Sequence, residues 1–215
     1  MSAKLIAVTK PLIEGINTAE EFIAYAARVS NPSNQMNVET APKLLKYLIK
    51  HKHWSPMEMV SITMEIKCSR TIGRQVLRHR SFSFQEFSGR YATNTGFSYS
   101  EARLQDTKNR QNSIETSDTE LQDVWQEYQA KVLQTAKAAH DWAISNGIAK
   151  EVARNVLPEG MTDSILFMSG TLRSWIHYCQ LRCGPETQKE HREVAQEAWN
   201  AILVMFPTLE GILSE

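Results

Sequence analysis

Met59-Val60-Ser61-Ile62-Thr63-Met64-Glu65-Ile66-Lys67-Cys68 alternates without a break. Val60, Ile62, Met64, Ile66 and Cys68 fall on one side, and Ser61, Thr63, Glu65 and Lys67 on the other. Strand side chains point to opposite faces at a period of two, so this is a half-buried sheet strand. Helical spacing then takes over. Ile72, Val76 and Leu77 predict a helix over 69–77, on which Gln75 and Arg78 are three apart and Arg74 and Arg78 four apart. Upstream, 4–8 reads as a short strand. Thr18-Ala19-Glu20-Glu21 is a capping box that opens a helix to about Val29. After a polar loop over 31–37, a second helix is expected over 39–51, with Leu44, Leu45, Leu48 and Ile49 inward. These elements predict an α+β fold: a small, mainly antiparallel sheet with packed helices and a helical C-terminal half.

Downstream of the strand and helix comes Arg78-His79-Arg80-Ser81-Phe82-Ser83-Phe84-Gln85-Glu86-Phe87-Ser88-Gly89-Arg90-Tyr91. It starts at a helix end and is expected to run into a loop. Arginine suits two-toothed recognition of phosphate or carboxylate and keeps its charge. Ser88-Gly89-Arg90 predicts a tight turn whose backbone N–H groups can approach an anion. Phe82, Phe84, Phe87 and Tyr91 interleave with the arginines, so part of the stretch is expected to be buried. A buried arginine without an anion is costly. With Glu86 the single acid here, the expected partner is an anionic ligand.

Further on, Asn94-Thr95-Gly96 reads as a turn, 98–104 as a strand and 106–117 as a mobile surface loop. Ser117-Asp118-Thr119-Glu120 reads as a second capping box. Its helix is expected to reach Asn146, closed by Gly147. Leu121, Val124, Trp125, Tyr128, Val132, Leu133, Ala136 and Trp142 form its apolar stripe. At roughly 40 Å it suits a helix that organises a subunit or packs across an interface. Glu127 and His140 are expected at the surface. A short helix over 149–156, with Arg154 near its close, ends at Pro158. Another is expected over 162–183, with Leu172, Trp175, Ile176 and Cys179 inward. On it Arg173 and His177 share a face, and Arg182 points nearly opposite. After Gly184-Pro185, a last helix is expected over 186–206.

The 215 residues fit one domain, 1–215. Twenty-four basic and 24 acidic residues give zero formal charge, which argues against a general nucleic-acid binder. No apolar run approaches the ~20 residues of a membrane span, and the N-terminus lacks a signal peptide's apolar core. Three cysteines suggest no disulfide framework, and a reducing cytoplasm is the expected location. His51 and His53 near Glu58 lack a third ligand at a recognisable spacing, and Cys179 and Cys183 read as core, so no metal is expected. There is no Gly-rich dinucleotide fingerprint.

Five blocks occur in order: Ala27-Arg28-Val29-Ser30, His53-Trp54-Ser55-Pro56-Met57-Glu58, Arg78-His79-Arg80 with Ser88-Gly89-Arg90-Tyr91, Arg154 with Leu157-Pro158, and Leu172-Arg173-Ser174-Trp175 with Leu181-Arg182. Together they resemble the flavin-dependent thymidylate synthases over most of the chain. Met59 stands where that family often has histidine, Gln85 where asparagine is common, and Thr171 and His177 where some members have asparagine. The resemblance implies methylation of dUMP to dTMP, with 5,10-methylenetetrahydrofolate as carbon donor and FAD, reduced by NADPH, as hydride source. It implies FAD contacts from Ser30, His53, Ser55, Glu58, Arg78, His79, Arg80, Glu86, Thr171, Arg173 and His177. It places dUMP against Gln75, Arg78, Glu86, Phe87, Ser88, Gly89, Arg90, Arg154 and Arg182. Arg182 is the catalytic group, stabilising charge that develops on the uracil ring. Ser88 lacks an obvious base and is read as a substrate contact rather than a nucleophile. The family's homotetramer implies active sites built from several chains. The competing readings are a nucleic-acid-binding module using the Arg/Phe stretch, and a flavoprotein reductase or nucleotide-binding relative that no longer methylates.

Overall fold

The computed structural model describes residues 1–93 and 96–214, so Asn94 and Thr95 of the expected turn lie outside the described residues. Four antiparallel strands form the main sheet in the order β1 (Ser2–Val8), β2 (Ser61–Ser69), β6 (Asp163–Thr171), β3 (Ser83–Glu86). A hairpin of β4 (Arg103–Gln105) and β5 (Ser113–Glu115) stands apart. The alternation in β2 is realised: Ile62, Met64 and Ile66 have 0% exposure. Burying each such side chain stabilises the fold by about 1.5–3 kcal/mol.

Helices cover that inner face. They are α1 (Ala19–Ala27), α2 (Ala41–Lys50), α3 (Arg70–Val76), α6 (Leu172–Arg182) and α7 (Lys189–Met205). The capping box of α1 forms as read, with Thr18 accepting from the Glu21 N–H. Ser69 caps α3, so strand and helix join without a loop. Trp175 of α6 is fully buried, and its Nε1–H donates to the Ile62 carbonyl at 3.1 Å. Phe82 meets Trp175 edge-on and lies so close to Gly170 that a Cβ there would come within 2.5 Å of the ring.

Several expectations are corrected. The helix expected over 162–183 begins only at Leu172; its first half is the central strand β6. Ile165 and Phe167 point to the outer face at 40% exposure each, so both faces of β6 carry apolar residues. The period-two signal was therefore hidden inside a continuous apolar run. The 78–91 stretch is not all loop, because β3 lies within it and pairs with β6. The 106–117 loop contains β5 and turns on Asp106, whose carboxylate accepts from the Lys108 and Asn109 N–H groups. Of the expected 98–104 strand, only Arg103 and Leu104 are strand, as the start of β4. Glutamines of α4 (Thr119–Ser145) hold the rest: Gln129 hydrogen-bonds the N–H and C=O of Ser100, and Gln122 those of Ala102. Asp118, not Ser117, caps α4, accepting from the Leu121 N–H at 3.0 Å. His140, expected at the surface, is buried. Pro56 lies at the start of a 3-10 turn over Ser55–Met59. The short helix α5 (Lys150–Ala153) continues as a 3-10 turn carrying Arg154.

Candidate active site

The predicted residues gather into three groups. The first is built where α2 ends and α6 begins. Helix α2 closes with the Lys52 N–H on the Ile49 carbonyl and the His53 N–H on the Leu48 carbonyl, which aims His53 outward. The 3-10 turn presents Ser55 and Glu58 to solvent. Thr171 caps α6 by accepting from the Ser174 N–H at 3.3 Å. Two residues on, an Arg173 Nη1–H donates to Glu58 Oε1. Both partners stay about two-fifths exposed, at 42% and 41%. His177 packs edge-on against Trp54, with ring centres 4.8 Å apart. Burial, followed by the Arg173 charge, lowers its pKa and favours the neutral ring. Ser30 lies exposed just past α1.

The second group joins α3, α6 and α7. Arg182 Nε–H donates to His79 Nε2 at 3.0 Å. His79 meets the Tyr178 ring edge-on at 4.8 Å. Burial and the Arg182 charge hold the His79 pKa down to about 4, so the ring is neutral and its bare Nε2 accepts. Behind it, His191 lies between the Tyr178 hydroxyl and the Gln75 side chain.

The third group lines a cavity of about 420 Å³, whose walls include Arg70, Arg74, Gly89, Lys150, Arg154 and Glu159. Ser88 and Gly89 form a tight turn, with the Tyr91 and Ala92 N–H groups on the Ser88 carbonyl at 3.1 and 3.3 Å. The turn packs closely on Arg154: a Cβ on Gly89 would lie 3.2 Å from Arg154 Cδ, so the arginine stem would have to shift by a few tenths of an ångström. Arg74 forms a bidentate pair with Glu159. Lys150 Nζ donates to the Tyr91 carbonyl at 3.2 Å. Arg90 Nε lies 3.4 Å from Glu151, and both side chains are exposed. Ser88 Oγ accepts from the Arg90 N–H, so its contact is with its own turn.

Two residues stand slightly apart from these groups. Glu86 accepts from Ser164 Oγ–H at 2.8 Å and faces α3 and β6. Burial, and after it the Glu86 charge, pushes the Cys68 thiol up to about 12. Phe87 continues the pairing of β3 with β6 through its N–H on the Ile165 carbonyl, and lines a second cavity of about 540 Å³. Part of the stretch is buried as expected, at Gly89 and partly at Phe82, Phe84 and Phe87, while Arg78, Arg80 and Arg90 are all exposed. The aromatics carry the burial instead, since Phe82 and Phe84 pack on the core.

Within one protomer the residues named in the first two groups do not line this cavity. The 420 Å³ cavity holds Gly89 and Arg154, while Gln75, Glu58, His177 and Arg182 lie outside its walls. Sequence reasoning missed Arg70, Arg74, Lys150, Tyr178 and His191. Arg70 and Arg74 were legible as an i, i+4 pair on the helix carrying Gln75. His191 was legible too, as the polar member of a buried stripe with Val194, Ala195, Ala198 and Ile202.

Comparison with known proteins identifies the class. Residues 11–208 match the thymidylate synthase complementing protein family, and the chain belongs to that family. It is 52% identical, over 99% of both chains, to a probable flavin-dependent thymidylate synthase of Paramecium bursaria Chlorella virus 1. It is 46% identical, again over 99% of both, to a flavin-dependent thymidylate synthase of Synechocystis sp.. The crystal structure of the UMP/dUMP methylase PolB from Streptomyces cacaoi bound with 5-Br dUMP shares the fold, with a TM-score of 0.82 at 24% identity, covering 96% of this chain and 91% of that one.

Proposed function

We infer that the protein is a flavin-dependent thymidylate synthase, which methylates dUMP to dTMP. The observation that carries the reading is the buried Gly89 turn laid against Arg154 in a cavity flanked by Arg70 and Lys150. A nucleoside monophosphate presents a dianion, and this is the chemistry that backbone N–H groups and guanidinium groups hold well. Arg90, freed from its exposed pair with Glu151, adds a further cation; such a pair contributes only about 0–1 kcal/mol. Arg182 has its Nε committed to His79, which leaves its terminal nitrogens to face the uracil ring and stabilise charge developing there. Ser88 lies in hydrogen-bonding reach of its own turn, and the neutral His79 is already occupied, so Ser88 serves as a substrate contact.

The residues also fit FAD. Arg78 and Arg80 are exposed guanidinium groups with no ion pair among the described residues, suited to a diphosphate. Arg173 is oriented by Glu58 beside His177 and Thr171, with His53 and Ser55 nearby in the chain. The bound flavin supplies the hydride. Arg173, Arg78 and Arg80 favour a negatively charged cofactor, and the neutral His177 adds hydrogen-bonding capacity without further charge.

NADPH is the reductant and 5,10-methylenetetrahydrofolate the carbon donor in this reading. The enzyme acts as a homotetramer in the cytoplasm. That Glu58, His177, Gln75 and Arg182 lie outside the walls of the Gly89–Arg154 cavity supports sites assembled from several chains. Free Cys68, Cys179 and Cys183 suit a reducing compartment. The experiment is an absorption spectrum of the purified protein, before and after NADPH, followed by a dTMP assay with dUMP and methylenetetrahydrofolate. A flavin band that NADPH bleaches, and dTMP formed, are the expected results. Absence of flavin after soaking in FAD, or no dTMP from flavin-loaded protein, would overturn the reading.

A further inference from the structure

His191 on α7 has 0% of its surface exposed, yet both its ring nitrogens are engaged. Nδ1 lies 3.2 Å from Gln75 Oε1, and Nε2 lies 3.1 Å from the Tyr178 hydroxyl. The direction of these bonds is set from outside. Arg103 holds both oxygens of Glu190, at 2.7 and 3.0 Å, with the two side chains only 12% and 15% exposed. A carboxylate paired in this way only accepts. Gln188 therefore turns its NH₂ toward Glu190, at 2.9 Å, and its oxygen toward Gln75. Gln75 must answer with its own NH₂, at 2.7 Å, which leaves its Oε1 facing His191. An amide oxygen only accepts, so His191 carries its proton on Nδ1. Its bare Nε2 then takes the proton of the Tyr178 hydroxyl. Each polarity follows from the one before, from the Arg103–Glu190 pair to the interior of the site.

We propose that His191 is a positioning residue for nucleotide binding: its Nδ1–H pins the Gln75 oxygen and so presents the remaining Gln75 N–H to dUMP. The proposal rests on the reading that Gln75 contacts the nucleotide. Gln75 has two amide hydrogens, and Gln188 takes one. The other is available for a nucleotide acceptor only while the amide plane is held. Without His191, the Gln75 side chain is tethered at one end only and can rotate about its last bonds. Tyr178 is steadied by the same ring, and it packs against the His79 that holds Arg182.

The test is calorimetric titration of dUMP into FAD-loaded protein, wild type against His191→Asn, His191→Gln, His191→Leu and Gln75→Ala. Asparagine places an amide N–H near the Nδ1 position, while glutamine reaches the Nε2 position instead. The expected result is a Kd within about threefold of wild type for His191→Asn, and roughly tenfold weaker for His191→Gln and His191→Leu, the scale of one lost hydrogen bond. Gln75→Ala should weaken binding at least as much. A merely structural role would weaken Asn and Gln variants alike, and that result overturns the proposal. So does wild-type affinity in His191→Leu. If His191→Leu does not fold, the contrast between Asn and Gln decides alone. Unchanged binding in Gln75→Ala removes Gln75 from the nucleotide and the proposal with it, while thymidylate synthase activity is judged separately by flavin content and dTMP formation.

Discussion

Arg182 Nε–H donates to His79 Nε2 at 3.0 Å, so the histidine of the Arg78-His79-Arg80 triplet holds the guanidinium of a helix more than one hundred positions away. A guanidinium has enough donors to bind His79 with one edge and present the other edge to substrate. An ammonium cannot keep that geometry. Arg182→Lys is therefore expected to lower kcat by about 10²–10³-fold, the usual effect of losing one positioned charge-stabilising donor. Steady-state dTMP formation with flavin content checked spectroscopically measures it. Near-normal kcat in the lysine variant would remove Arg182 from the chemistry.

The same cluster sets a pH dependence of stability. The pKa values of His79 and His191 both lie near 4, lowered by burial and then by Arg182, with His79 adding to the effect on His191. The groups facing these rings are Arg182 and Tyr178 on α6 and Gln75 on α3. In the unfolded chain each ring protonates near about 6.5. Above that value neither state binds the proton, and the full stability is present. Between about 6.5 and 4 the unfolded state takes up protons that the folded state refuses, so stability falls as pH falls. Below about 4 this contribution stops changing. The urea midpoint is expected to drop between pH 7 and 5, and less steeply in His191→Asn. A midpoint unchanged over that range would mean that both rings protonate freely inside the fold.

Legibility of the sequence followed how many faces of an element are polar. Strand β2 was plain because Glu65 and Lys67 lie opposite Met64 and Ile66 in a strict alternation. Strand β6, paired beside it, was read as helix because Ile165 and Phe167 make its outer face apolar too. The segment before β4 failed for another reason: Gln122 and Gln129 satisfy its backbone from a helix that follows it in sequence, and no local pattern announces that. At the site, the single blocks were legible but their grouping was not. Gly89 and Arg154 meet across sixty-odd residues, a long-range pairing set by how α5 folds back.

Lys52 offers a test of local strain beside His53. It sits just past the α2 C-cap at φ +58°, where the helix closes with the bond pattern that favours glycine. A lysine Cβ is crowded in that conformation. Lys52→Gly is expected to raise stability modestly, read as a higher urea midpoint, because the left-handed penalty of roughly 1–2 kcal/mol exceeds glycine's entropy cost of roughly 0.5–1 kcal/mol. A lower midpoint would show that the lysine side chain stabilises the turn in some way beyond its backbone.

Helix α4 carries the last expectation. Its stripe was read as apolar, and in the protomer that stripe is largely uncovered: Val124, Tyr128 and Val132 are 43%, 58% and 51% exposed. Spacings of four place these three along one face. An apolar row of this length is unusual on a monomer's surface and suits contact with a like helix of another subunit. Val132→Glu puts a charge in its middle, where association would have to desolvate it. The variant is expected to sediment as a smaller species than wild type while keeping its helical circular dichroism. If the site is assembled from several chains, as proposed, it should also lose dTMP formation. If it sediments like wild type and stays active, this face of α4 lies outside the assembly. If it falls apart yet turns over at the wild-type rate, each protomer completes its own site and the assembly is not needed for catalysis.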